Sequence, residues 1–228
     1  MLKASLIFAL KTSLPVILGY LAIGSAFGLI IQNNSYPISL AIFMSILIYA
    51  GAGQYAAAGL FAAGSGYAEA ALTVFLINSR HMIYGFSMRD KFQNALPYTP
   101  YLIFGLTDET FGLLSAAKIP PELPRARVYF YITLFNQISW VLGTVAGFYI
   151  GEVIPFDFRG VEFALTALFV VLLMEQWKNR RDNSPFIIAL VSTALAFLIF
   201  GAKNMLIAAF PLSILGAIGA SLKKIKDA

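Results

Sequence analysis

Apolar residues run along this chain in blocks of about twenty, separated by short polar, proline-rich or glycine-rich punctuation. A helix needs roughly 20 mostly apolar residues to cross the hydrocarbon core of a bilayer. The blocks predict spans over 12–31, 38–63, 70–88, 98–117, 128–150, 161–177, 185–201 and 205–222. Gln32-Asn33-Asn34-Ser35-Tyr36-Pro37, Gly64-Ser65-Gly66, Pro120-Pro121-Glu122-Leu123-Pro124 and Lys178-Asn179-Arg180-Arg181-Asp182 mark the breaks between them. The pattern therefore predicts an all-α fold, a polytopic bundle of transmembrane helices forming one domain over residues 1–228. The last two spans are short. Gly201-Ala202-Lys203-Asn204 joins them either as two crossings or as a hairpin, which sets the count at seven or eight.

The second block is long and carries Gly51-Ala52-Gly53-Gln54 at its middle. Two glycines beside a glutamine weaken a helix and free backbone groups that protein or a water-filled cavity must satisfy. Discontinuous helices of this kind build substrate and ion sites in transporters. Close helix packing through small residues is the alternative. Elsewhere, residues 19–24 and 143–147 share only a loose glycine spacing, too weak to indicate a duplication.

Composition narrows the class. Of 228 residues, 59% are hydrophobic and 12% charged, against about a quarter charged in soluble domains. The net charge of +5 is spread between apolar blocks, without the basic, aromatic-interleaved face of a nucleic-acid binder. Lys11 interrupts the first apolar stretch and the run after it is too long for a signal peptide, so it reads as a retained span. With the N-terminus inside, Lys3, Lys11, Lys118, Arg125, Arg127, Lys178, Arg180, Arg181, Lys223, Lys224 and Lys226 fall on the cytoplasmic side. Arg89, Lys91, Arg159 and Lys203 fall outside, so the positive-inside rule favours cytoplasmic termini in a cell inner membrane.

The candidate chemistry lies inside the apolar blocks. Asn78-Ser79-Arg80-His81 and Thr107-Asp108-Glu109 sit where a charge costs about 2.5–3.5 kcal/mol on insertion scales. On a helix Arg80 and Tyr84 share a face, with His81 near Tyr84 and Asn78, making one polar stripe that must face the bundle interior. Arg80 suits a carboxylate, of the substrate or of a helix, and histidine ordinarily titrates near neutral pH and can pass a proton. Asp108 and Glu109 lie about 100° apart and cannot share one partner. If one pairs with Arg80, the other is free to gain and lose a proton, the usual element of proton coupling. Both acids could instead serve only as pairs or caps at a kink between Gly105 and Gly112. Asn136, Gln137 and Trp140 form an uncharged patch suited to inter-helix hydrogen bonding. Asn136 and Gln137 show no obvious mate within the chain.

Enzyme chemistry has little support. With one histidine and no cysteine, His81, Asp108 and Glu109 are the metal-ligand candidates, and they lack a recognisable spacing. There is no Gly-x-Ser-x-Gly element and no Walker loop. No cofactor, metal or nucleic acid is expected. A passive channel would repeat one polar residue type along a face, whereas mixed groups gather here at two depths. A non-transporting membrane scaffold is the remaining alternative.

Ala50-Gly51-Ala52-Gly53-Gln54, Asn78-Ser79-Arg80-His81-Met82-Ile83-Tyr84-Gly85 and Thr107-Asp108-Glu109-Thr110-Phe111, in this order, resemble the AzlC family. So do residues 140–147 and 162–169, and the likeness runs over about residues 8–215. The resemblance implies the large subunit of an exporter of branched-chain or similar apolar amino acids. It further implies coupling to protons and a small membrane partner of the AzlD type. It adds weight to Gln54, Asn78, Arg80, His81, Asp108 and Glu109. The expected substrate contacts are Gly51, Gly53, Gln54, Asn78 and Arg80, and the expected proton-coupling groups are Asp108, Glu109 and His81.

Overall fold

The computed structural model describes residues 2–153 and 182–226, with a few positions between 170 and 178. The expected span over 161–177 lies almost wholly outside the described residues. The chain divides into two compact units, 1–167 and 168–228. Among the described residues the secondary structure is helical. Leu2–Asn33, Arg125–Val153 and Ser184–Gly201 are long and apolar enough to cross a membrane.

In the first unit, α1 (Leu2–Asn33) and α9 (Arg125–Val153) run parallel and in backbone contact. A Cβ on Gly24 would lie 2.9 Å from the Trp140 carbonyl oxygen, and one on Gly143 would lie 2.8 Å from that of Leu21. A Cβ on Gly28 would overlap the Thr144 carbonyl, and one on Gly147 would overlap that of Ser25. These are two Gly-x-x-x-Gly faces, Gly24 with Gly28 and Gly143 with Gly147, which let main chains approach where lipid gives no hydrophobic drive. The Ser25 hydroxyl donates to the Gly143 carbonyl at 3.1 Å and to the Leu21 carbonyl at 2.7 Å.

The second apolar block does not cross. Helix α2 (Ile38–Phe43) continues as a π-turn over Met44–Ile48, and the chain reverses at Tyr49 and Ala50 before α3 (Gly51–Ala62). Tyr49 takes the left-handed conformation (φ 41°, ψ 50°), with its N–H on the Met44 carbonyl, and Ala50 is extended. Gln54 then meets Ser45, nine residues earlier, at 3.1 Å, whereas in a continuous helix nine residues span about 13 Å. Tyr36, before α2, lies against Phe61 at the far end of α3, ring centroids 6.4 Å apart. Each arm rises only about 16–18 Å, and the block is a helical hairpin. The break falls just before Gly51-Ala52-Gly53 rather than within it.

Helices α4 (Tyr67–Asn78) and α5 (Arg80–Ser87) form one rod bent at Ser79, whose hydroxyl turns back onto the Leu76 carbonyl at 2.7 Å. Its start packs at Phe61, and its continuation through Met88 packs with Ala9 and Leu114 near the start of α1. After the short α6 (Arg89–Phe92), the fourth block reverses too. Helix α7 (Thr99–Phe104) rises from the α1 N-terminal end, the chain turns at Gly105-Leu106-Thr107, and α8 (Asp108–Ala116) returns. Its last turn is tied to Lys91, which donates to the Leu114 and Ser115 carbonyls at 3.1 and 2.6 Å. A cation on the last carbonyls of a helix is favourable there.

The expected through-spans over 38–63 and 98–117 are thus opposed hairpins, and the tip of one meets the tip of the other, with Tyr49 and Phe104 centroids 6.3 Å apart. Residues 38–87 and 98–153 repeat one plan in opposite directions, a hairpin followed by a crossing helix. Asn78 lies on Gly53 of the first hairpin, and Asn136 bonds to Thr110 of the second. Leu76, Asn78 and Gly85 correspond to Leu134, Asn136 and Gly143 at one spacing. The reversal also moves Arg89 and Lys91, expected outside, to the end that holds Lys3, Lys118 and Arg125. The opposite end, at residues 32–37, 63–66 and 151–153, has no lysine or arginine.

In the second unit, α10 (Ser184–Lys226) bends at Gly201, whose φ of 71° favours glycine. The bend falls at the joint expected between the last two apolar blocks.

Replacing Gly147 with valine should lower stability by more than about 2 kcal/mol, because backbone occupies the space. Gly19→Ala, with nothing within 4 Å of the added methyl, should leave the melting temperature in detergent unchanged or slightly higher.

Candidate functional site

The site forms where the hairpin tips meet the crossing helices. Thr107 caps α8, its hydroxyl accepting the Thr110 N–H at 3.2 Å. Asp108 and Glu109 therefore open a helix, where the positive end of the peptide dipoles favours carboxylates. Being adjacent, they diverge. Asp108 turns to α5, where the Arg80 guanidinium sits 2.7 Å from its Oδ2 and the Tyr84 hydroxyl donates to its Oδ1 at 2.5 Å. Tyr84 is itself fixed by stacking on Phe111, centroids 4.4 Å apart. Glu109 turns to α1, where the Tyr20 hydroxyl donates to its Oε2 at 2.7 Å. Arg80 reaches Asp108, and no ion pair joins Glu109 to a cation among the described residues.

Behind Glu109 runs a buried line of hydroxyls. Tyr20 meets Thr107 at 2.6 Å, Thr107 meets Thr110 at 2.9 Å, and Asn136 Nδ2 donates to Thr110 Oγ1 at 3.0 Å. Each hydroxyl has one proton. Tyr20 donates to Glu109 and Thr107 donates to Thr110, so both protons point away from the Tyr20–Thr107 contact. A protonated Glu109 can instead donate to Tyr20, which then donates to Thr107 and closes one continuous line to Thr110.

A second network holds the first hairpin. Trp140 Nε1 donates to Gln54 Oε1 at 3.0 Å, Gln54 Nε2 donates to Ser45 at 3.1 Å, and Ser45 pairs with Thr144 at 3.0 Å. Gln54 is fully buried and both halves of its amide are engaged by protein. Gly51 lies flat on the Trp140 ring, 3.0 Å from where its Cβ would be, and Gly53 makes room for the Asn78 amide. Gln137 bridges the two hairpins, accepting from Tyr101 at 2.7 Å and donating to the Ile46 carbonyl at 3.3 Å. Asn136 and Gln137 thus have mates inside the chain, contrary to the expectation from sequence, although Asn136 Oδ1 remains without a partner. His81 stands to one side, its ring 5.7 Å from that of Tyr84.

The sequence reading grouped Arg80, Asp108 and Glu109 and included Tyr84 in its stripe, but it passed over Tyr20, Tyr49, Thr107 and Thr110. A tyrosine in an apolar block carries no signal separating a lipid-facing ring from one that bonds a carboxylate. Thr107, three residues before Thr110 at a helix start, had a readable capping signal.

Opposed half-helices with ionisable groups at their junction define an integral membrane protein built around a polar centre. The model of the family described as AzlC protein matches residues 15–154, and the chain belongs to that family. It is 30% identical over 220 residues to the branched-chain amino acid transport protein AzlC of Bacillus subtilis, covering 96% of this chain and 86% of that one. It is 34% identical to an uncharacterized membrane protein of Helicobacter pylori, with 91% of each chain covered. It is 32% identical to the inner membrane protein YgaZ of Escherichia coli, over 75% of this chain and 73% of that one. No solved structure matches.

Arg80→Gln should strand Asp108 and cost about 2 kcal/mol or more, less than the 3–5 of a fully buried pair because these side chains are 26% and 19% exposed. Adding Asp108→Asn should recover at least half of that loss in a detergent melting series.

Proposed function

We infer that this protein is the large subunit of an exporter that moves branched-chain or similar apolar amino acids out across the bacterial inner membrane in exchange for protons. The observation that carries the reading is the division of roles between the two acids. Arg80 and Tyr84 hold Asp108, while Glu109 accepts from the Tyr20 hydroxyl and has no ion-pair partner among the described residues, which supports Glu109 as the acid that takes up and releases the proton. A relative's name, branched-chain amino acid transport protein, supports the substrate class. The charge distribution supports orientation: the end carrying Lys3, Arg89, Lys91, Lys118 and Arg125 is cytoplasmic, as is the N-terminus, by the positive-inside rule. The C-terminus is assigned to the same side on the basic residues near it.

Roles follow for the expected site residues. Gln54, Gly51 and Gly53 set the first tip against Trp140 and Asn78, and Arg80 neutralises Asp108. The Tyr20–Thr107 link, which closes when Glu109 carries a proton, ties proton occupancy to the junction of the tips. His81 lies within reach of this centre as a secondary proton relay. A small AzlD-type subunit completes the transporter. That part rests on the family resemblance, since the polar patch on α9 is largely matched internally.

The test is transport in liposomes with the small subunit present. Glu109→Gln should retain leucine counterflow but lose its response to a pH gradient, and Tyr20→Phe should weaken that response in the same direction. Asp108→Asn should still respond. Full responses from both acid variants would remove the carboxylates as proton carriers and leave His81. Reconstituted alone, the chain should exchange leucine poorly, and full activity without a partner would refute the two-subunit reading.

A further inference from the structure

Resting on that reading, we propose that the two hairpin tips together hold one zwitterion. The first turn of α3 takes the α-carboxylate of the amino acid, and Tyr49 Oη and Asn136 Oδ1, beside the start of α8, take its α-ammonium.

The two tips are alike in plan and opposite in chemistry. Both end in a helix N-terminus at the same junction. Helix α8 starts with a threonine cap and two acids. Helix α3 starts at Ala50 with no side-chain cap and no acid in its first turn. Its first ladder bond runs from the Gln54 N–H to the Ala50 carbonyl at 2.8 Å, so the N–H groups of Gly51, Ala52 and Gly53 precede the ladder. Such groups, with the helix dipole behind them, are a ready carboxylate site.

A helix start alone would not justify a site, but the side chains at this junction point to a ligand independently. Tyr49, at the turn leading into α3, is 2% exposed, and its hydroxyl makes no hydrogen bond of full geometry among the described residues. That hydroxyl lies beside Thr107, Thr110 and Glu109 of the opposite tip. Asn136 is fully buried, bonds Thr110 through Nδ2 and leaves Oδ1 without a partner. Asn78 Oδ1 and Arg80 Nε, beside the α3 and α8 starts, are buried and unmatched as well. Tyr49 also has a left-handed backbone, an uncommon conformation for an aromatic residue, and such residues cluster at ligand clamps. Around Glu109 the unmatched atoms, Tyr49 Oη and Asn136 Oδ1, are acceptors suited to an ammonium. Around α3 the first-turn N–H groups of Gly51, Ala52 and Gly53 are donors, with the Asn78 amide beside them. The tips touch here through Tyr49 and Phe104, so loading requires them to part, and the amino acid would bridge them when they close.

Amino acid analogues read the two halves separately. In the purified full chain with its small subunit, displacement of labelled leucine should show leucine binding at least tenfold more tightly than leucinamide, which lacks the carboxylate. It should show the same margin over 4-methylpentanoate, which lacks the ammonium. Ala50→Asp supplies its own carboxylate to the first turn of α3. It should weaken leucine at least tenfold while leaving leucinamide unchanged or improved. Ala50→Ser, an uncharged cap, should move the leucine-to-leucinamide ratio the same way by a smaller factor, and it serves if the aspartate variant does not fold. Tyr49→Phe should weaken leucine and leucinamide together and spare 4-methylpentanoate. Leucine binding with the wild-type ratio in every variant would overturn this assignment and leave the proposed function standing. Failure of the wild-type protein to bind any apolar amino acid would overturn both.

Discussion

Backbone polarity inside an apolar solvent is the constraint on which the rest of this structure depends. Two hairpins reverse at about half the depth of the crossing helices, and each reversal exposes N–H and C=O groups that hydrocarbon cannot satisfy. The chain meets that demand by burying both reversals against α9. Gln54 is locked between Trp140 and Ser45, Thr110 is held by Asn136, and Gln137 spans the two hairpins. Four of these five bonds come from one stretch of α9, residues 136–140, which works as the spine of the site. The close glycine seam between α1 and α9 fixes that spine and brings Tyr20 to Glu109.

The electrostatic arrangement follows from the second reversal. Had residues 98–117 formed one straight helix, Asp108 and Glu109 would project sideways from a continuous ladder. Because α8 starts at Asp108, both acids sit where the helix dipole lowers the cost of a negative charge. Their 100° separation then sends one to α5 and the other to α1. A single arginine is enough for one of them, and that imbalance gives the site its chemistry.

Repetition of the plan in opposite directions would give the transporter we propose a route to alternating access. Each hairpin enters from one end, and each is followed by a crossing helix bearing an asparagine that touches its own hairpin, Asn78 at Gly53 and Asn136 at Thr110. Two such units with equivalent internal contacts can exchange roles with little net change in packing, so the two access states need not differ greatly in free energy.

Residue chemistry was legible in the sequence where it conflicted with its surroundings. Arg80, Asp108 and Glu109 stood out because charge inside an apolar block is costly, and their pairing followed from counting one cation against two acids. The weak point near Gly51 was legible too, since glycine and glutamine interrupt a lipid-facing run. What hydropathy could not reveal was direction. A block long enough to cross and a pair of half-length arms that reverse carry the same number of apolar residues, and only the Gln54–Ser45 and Tyr36–Phe61 contacts distinguish them. The roles of Tyr20 and Tyr49 were likewise decided by tertiary structure. Burial of a tyrosine ring needs only an apolar neighbourhood, but a hydroxyl acquires chemistry only when folding sets it beside a carboxylate eighty-nine residues away.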